Sequence, residues 1–131
     1  MEGKMVILFK TTSTEAEWPV LLELNPKLVY QVLCFLDFMG SNGTITEIYR
    51  TVEMQRKYYP STPDKLSVHQ FWRGADLSVR DYDAVRVSNA LDILNRRFPY
   101  DPKRPVLLSF LVHDVGLGNH LHIQTLTGGV Q

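Results

Sequence analysis

Between Asp83 and Phe98 the apolar residues Val87, Leu91, Leu94 and Phe98 fall on one helical stripe, and Arg86, Asp92, Arg96 and Arg97 occupy the remaining surface. A helix of this kind must bury its stripe against another layer, so the chain has to supply one. Pro99 ends the helix. A second helix opens at Asn25-Pro26, because Asn caps well and Pro at the first helical position gives up no needed hydrogen bond. Val29, Val32, Leu33, Leu36 and Met39 then recur at helical spacing until Gly40, a natural stop.

The layer that these helices need is made of strands. Met5 to Phe9 reads as a short one, and Gly43 to Tyr49 as another with Thr44, Ile45, Thr46 and Ile48. Arg50 lies at its end, and Thr51 caps a short helix running through Gln55 to Tyr58. Pro60 to Pro63 is a loop. From Gly74 to Arg80 the chain alternates: Ala75, Leu77 and Val79 point one way and Asp76, Ser78 and Arg80 the other. Pro105 to Val112 is almost wholly apolar and predicts a central strand. A Gly-rich turn from Asp114 to Asn119 follows, and His120 to Thr125 alternates again. Helices and strands are mixed without a regular βαβ order. This predicts an α+β domain with a largely antiparallel sheet and helices on one face. With 131 residues, residues 1–131 form a single domain.

Composition narrows the function classes. The formal net charge is zero, without the clustered excess of Lys and Arg that marks a nucleic-acid interface or an anionic membrane surface. Cys34 is the one cysteine; it has no internal disulfide partner and sits in the apolar run Val32 to Leu36, as a small core residue would. The apolar stretch at the N-terminus is too short for a signal peptide, and no run is long enough to span a bilayer. The expectation is a soluble chain made in the cytoplasm, which would reach any outside target by another route.

The chemistry concentrates in four histidines: His69, His113, His120 and His122. His120-Leu121-His122 lies on a predicted strand, so both imidazoles share one face, about 7 Å apart by two strand rises. Gln124 joins that face, while Leu121 and Ile123 anchor the strand in the core. Alone, a His-x-His on a strand is most simply a solvated pair. A second feature changes the balance: Asp76 stands seven residues after His69, on the polar face of its own strand. Zinc accepts imidazole nitrogen and carboxylate oxygen at roughly 2.0–2.2 Å, and two His plus one carboxylate leave a position open for water. Zinc brings the pKa of such a water to about 7.

Ser67-Val68-His69, Asp76 seven later, and then His120-Leu121-His122 together resemble the zinc D-alanyl-D-alanine carboxypeptidase and L-alanyl-D-glutamate endopeptidase family, which shares its fold with the hedgehog signalling domain. Ile45 to Thr51, with Tyr49-Arg50-Thr51, is similar to that family's strand ending in Tyr-Arg-Ser/Thr. The pieces occur in the family's order and span residues 44 to 125. The resemblance implies a hedgehog-like fold, a Zn2+ cofactor held by His69, Asp76 and His122, Arg50 as the arginine that grips substrate, and His120 as the group that assists attack. It further implies a metallopeptidase cutting an amide bond in peptidoglycan stem peptides, in the manner of phage endolysins. The alternative is a non-catalytic wall-binding or phage structural protein of the same fold.

The chain departs from the family at three places. Trp72 stands where the family has Gly, Gly74 where it has Ala, and Asn119 where some members carry an acid. Without that acid, proton transfer falls to His120 or to a residue from another segment, with His113 and Asp114 as minor candidates. Tyr58, Tyr59, Phe71 and Trp72 flank the proposed site and are expected to wall a cleft or to pack as core.

Overall fold

The computed structural model, which describes residues 6–114 and 119–130, joins five strands in one sheet: β1 (Ile7–Phe9), β2 (Gly43–Glu47), β3 (Gly74–Ser78), β4 (Phe110–Asp114) and β5 (Asn119–Gln124). Their order across the sheet is β1-β2-β3-β5-β4. β1 runs parallel to β2, and every other neighbouring pair is antiparallel. Four helices accompany it: α1 (Thr12–Leu24), α2 (Pro26–Met39), α3 (Val52–Tyr58) and α4 (Ala84–Arg97). The class is α+β, with a mixed sheet that is mainly antiparallel. No single helix among the described residues is long and apolar enough to cross a membrane.

Period-two alternation divides the sheet into two faces. Ile45, Ala75, Leu77, Phe110, Leu121 and Ile123 all point to one side and are fully buried. They merge with Leu28, Val32, Phe35 and Leu36 of α2 and with Val87, Ala90 and Leu94 of α4 in a single core. α2 lies on β3 and β5, α4 on β4, and α1 on β1 and β2. Tyr58 of α3 and the following Tyr59 border the polar cleft, which α4 also lines through Ala84, Ser88 and Leu91.

The expected helix ends hold. Asn25 caps α2 with Pro26 in its first turn, Gly40 closes it at φ 65°, Thr51 caps α3 and Asp83 caps α4. α1 is absent from the sequence reading. Pro19 lies inside it, and of its residues only Thr14 and Leu21 are buried, so it shows no apolar stripe. Its local signals are the cap, the Thr11 hydroxyl accepting from Thr14 N–H at 3.1 Å, and Glu15 in the first turn.

The stretch Pro105 to Val112 is a correction. Only its last residues join a strand, which runs from Phe110 to Asp114 at the edge of the sheet and not at its centre. Before it, Leu107 N–H closes a turn on the Arg104 carbonyl, and Val106, Leu107 and Leu108 are exposed. The strand starts where Asn95 of α4 grips Phe110, donating to its carbonyl and accepting from its N–H at 2.8 and 2.9 Å. Cys34 is half-buried against the core. Met5 and residues 115–118 of the expected turn lie outside the described residues, as does the side chain of Asp114.

Asn25 ties the helical layer to the polar side. It sits at the bend between α1 and α2, with 1% of its surface exposed. Its Oδ1 accepts from Leu28 N–H at 3.2 Å, and its Nδ2 donates to the Trp72 carbonyl at 3.0 Å and to Thr125 Oγ1 at 2.8 Å. One side chain thus caps a helix and fixes the two segments that follow His69 and His122. Asn25→Ala is expected to lower stability by about 2–3 kcal/mol, from a lost cap plus orphaned buried groups. Urea unfolding should show this as a lower midpoint at unchanged slope.

Candidate metal centre

β3 and β5 pair so that Asp76 lies opposite His122 and Ser78 opposite His120. With Ala75, Leu77, Leu121 and Ile123 committed to the core, Asp76, His120, His122 and Gln124 must face the other way. β4 adds His113 to this face, directly across from His120. His69 arrives separately, on a 3₁₀ turn over Val68–Phe71. A capping box starts the turn: Ser67 Oγ accepts from His69 N–H at 3.2 Å, and Gln70 Oε1 accepts from Ser67 N–H at 2.7 Å.

His69, Asp76 and His122 converge as one buried cluster able to hold a metal ion, their ligand atoms all within 4.8 Å of one another. His122 Nδ1 is 2.8 Å and His69 Nε2 3.3 Å from Asp76 Oδ1. Exposures of 2%, 7% and 8% leave the three with little water. Partners behind the rings select the nitrogens that face inward. His69 Nδ1 donates to the Ile48 carbonyl at 2.9 Å, leaving Nε2 for a metal. Gln124 Nε2 donates to the Leu108 carbonyl, so its Oε1 is the acceptor presented to His122 Nε2 at 3.0 Å. His122 therefore carries its proton on Nε2 and offers Nδ1. Such outer hydrogen bonds orient and strengthen metal-binding imidazoles, and the donor set fits a borderline-soft dication.

The electrostatics agree with a buried anion set among imidazoles. Burial alone would raise the Asp76 carboxyl, but hydrogen bonds and charge from His122 and His69 hold it well below the usual carboxylate range. Burial would likewise depress His69, yet the hydrogen bond and charge of Asp76, with Glu47 beyond, lift it above its ordinary value.

Glu47 is the residue that the sequence reading missed. Ile45 pairs with Leu77, and regular alternation would place Glu47 beside Ala75, on the core face. A bulge between Ile45 and Glu47 sets it opposite Asp76 instead. Its Oε1 then stands 3.5 Å from His69 Nε2 and pairs with Arg50 Nη2. The available signal was a charged residue on the core side of an otherwise apolar strand face.

Arg50 is in the site, buried and held by others. Nη1 donates to Gln55 Oε1 at 2.7 Å and, more weakly, to Ser67 Oγ at 3.4 Å, and the guanidinium lies 5.1 Å over the Tyr58 ring. His120 Nε2 is 3.6 Å from Asp76 Oδ2. His113 lies beside His120 with ring centroids 4.3 Å apart and the rings tilted by 60°, and burial followed by the neighbouring His120 keeps its imidazole below the ordinary histidine value. Asn119 is exposed at the end of β5.

These residues line a cleft of about 1280 Å3 that Tyr58 and Tyr59 border. Phe71 and Trp72 are not among its lining residues. Trp72 stacks on Tyr49 at 4.8 Å, and Phe71 lies under the Arg73 guanidinium. Trp72 also has φ 58° and ψ 37°, the left-handed backbone that Gly favours.

Gly74 is closely packed where it opens β3. A Cβ there would lie 2.6 Å from Val68 Cγ2, 3.2 Å from His122 Cε1 and 3.4 Å from His69 Cε1. The Val68 side chain occupies the space that alanine needs, with the His122 ring tight against it and the His69 ring in contact. Gly74→Ala should displace the imidazoles and weaken metal binding by roughly 10- to 100-fold, the range seen when supports around a metal are disturbed. Competition against a chromogenic chelator measures this, and unchanged affinity would refute the close approach.

Comparison of the chain with protein-family models, with curated proteins and with solved structures finds no match to any of them.

Proposed function

We propose that this chain is a zinc-dependent peptidase with a hedgehog-like fold that hydrolyses an amide bond in peptidoglycan stem peptides. The observation that carries the reading is the buried cluster of His69, Asp76 and His122 facing a broad cleft that also holds His120 and Arg50. Two imidazoles and one carboxylate are a ligand set that leaves a coordination position open. Zinc held there supplies Lewis-acid polarisation of a carbonyl and a water that ionises near neutral pH.

The chain's own residues divide the remaining work. His69 and His122 present Nε2 and Nδ1, with Ile48 and Gln124 fixing their rings. His120, on the same strand face and half-open to the cleft, takes the proton from the attacking water and returns it to the leaving amine. Arg50, immobilised by Gln55 and Glu47, directs its remaining N–H groups at a substrate carbonyl or carboxylate. Stem peptides carry several carboxylates, which suits a planar guanidinium.

A second reading keeps the fold and the metal without turnover, as a wall-binding or phage structural protein. It draws on Asn119 in place of an acid and on the claim that Glu47 already has on Arg50.

Purified cell wall separates the two readings. New amine ends and shortened stem peptides should be released by zinc-loaded protein and not by chelated protein, with the bond located by mass spectrometry. No release from protein shown to carry one zinc would favour the second reading. His122→Ala should lose stoichiometric zinc; retention of one zinc per chain would refute the ligand set. His120→Ala should keep zinc and lose about 10²–10⁴ in kcat.

Acidity provides a further test. The raised His69 value means that protonated His69 stabilises the metal-free fold: the contribution is complete below the ordinary 6.5 and fades as pH rises through the folded value. The lowered Asp76 value acts oppositely, stabilising above 3.8 and failing only as pH falls through the folded value. A metal needs the imidazoles neutral, so its contribution grows with pH. The gap in Tm between zinc-loaded and chelated protein should therefore widen from about pH 6 to about pH 9. A constant gap would contradict it.

A further inference from the structure

We propose that the same face holds a second, weaker divalent-cation site made by Asp76, His113 and His120, so that Asp76 bridges two metals. Three observations carry this. Asp76 has two oxygens and they face different partners: Oδ1 faces His69 and His122, while Oδ2 is 3.6 Å from His120 Nε2. The ligand atoms of Asp76, His113 and His120 converge within 4.8 Å of one another. His113 Nε2 is buried and has no hydrogen-bond partner among the described residues.

The strand register produces the arrangement. His113 and His120 are cross-strand partners on β4 and β5, so both project to the polar face side by side. An imidazole nitrogen shut away from water with no partner is uncommon, because desolvation is not returned by any bond. A cation offers what no described neighbour does, since a lone pair on each ring can point at it while Asp76 Oδ2 supplies charge. Carboxylate-bridged pairs of metals sit about 3.5–4 Å apart, a separation that one bridging carboxylate spans.

The second site is the weaker for two reasons. Asp76 brings one negative charge to both ions, and the two dications repel across the bridge. Its filling also engages His120 Nε2. On the proposed function, which this consequence rests on, excess metal then removes the proton carrier and stops the reaction, so metal concentration sets activity. The binding itself does not depend on that reading.

Zinc titration followed by NMR of the imidazole resonances tests the site in the intact chain. The first equivalent should shift His69 and His122. A second equivalent should shift His113 and His120 and bring the metal content to two per chain. In His113→Ala the second equivalent should be lost while the first is retained; His113→Leu, which keeps an apolar strand side chain, should behave the same if the alanine variant folds poorly. Saturation at one zinc per chain, or a second zinc that leaves His113 and His120 unshifted, would overturn the second site. Failure of the first equivalent to shift His69 and His122 would instead overturn the ligand set of the proposed function.

Discussion

The Asp76 carboxylate is buried among imidazoles, and the polar half of the molecule is organised around that fact. A lone carboxylate with 7% exposure would take up a proton to escape its desolvation. Asp76 remains ionised because His122 and His69 contact one oxygen and His120 stands near the other. The imidazoles come by two routes: His122 and His120 through the register of β5, and His69 through a capped turn whose Trp72 carbonyl is held by Asn25. Slipping β5 against β3 by one residue would turn both of its histidines into the core and Leu121 and Ile123 out of it. The apolar core therefore enforces the geometry of the polar site.

Close approach is the second constraint. The strand that presents Asp76 begins at a glycine against which both the His69 and the His122 ring rest. At the other end of the loop, Gly129 at φ 68° lies where a Cβ would come 2.2 Å from the Phe71 carbonyl, so the C-terminal turn closes over the same segment. Val130 N–H then donates to that carbonyl at 2.8 Å. The His69 turn is held from both sides, by Asn25 beneath and by this turn above. Its left-handed Trp72 is tolerated because stacking on Tyr49 and the bond from Asn25 over-determine it.

What the sequence made legible was local period. The alternation from Gly74 to Arg80 put Asp76 on the polar face of its own strand, and that from His120 to Thr125 put His120 and His122 on one face of theirs. The caps at Asn25 and Thr51 marked two helices, and the apolar stripe from Asp83 to Phe98 marked a third. The rest was set by packing. α1 has a proline inside and scattered apolar residues, so it becomes helical by lying on the sheet and on α2. The apolar run after Pro105 looked central, yet only Ser109 and Phe110 of it are buried, and Val106, Leu107 and Leu108 before them are exposed. Glu47 was missed because regular alternation would put it on the core face; a bulge, which depends on the partner strand, moves it beside Asp76. The place of Arg50 was legible, but its ion pair with Glu47 was not.

That bulge has an electrostatic consequence for the site as a whole. With its imidazoles neutral, the floor of the cleft holds Asp76, Glu47 and Arg50, and so carries one net negative charge. A floor of that sign repels the carboxylates of a stem peptide. With one dication bound the balance reverses to one net positive charge, and the same floor attracts them. At the separations involved, a few ångströms inside a partly desolvated cleft, such a reversal outweighs what a surface ion pair contributes. Under the proposed function, Glu47 then does two things. It keeps Arg50 in place while the metal is absent, and it makes attraction of an anionic substrate conditional on the metal being present. Of the two, the second follows from charge alone and holds whichever bond is cut.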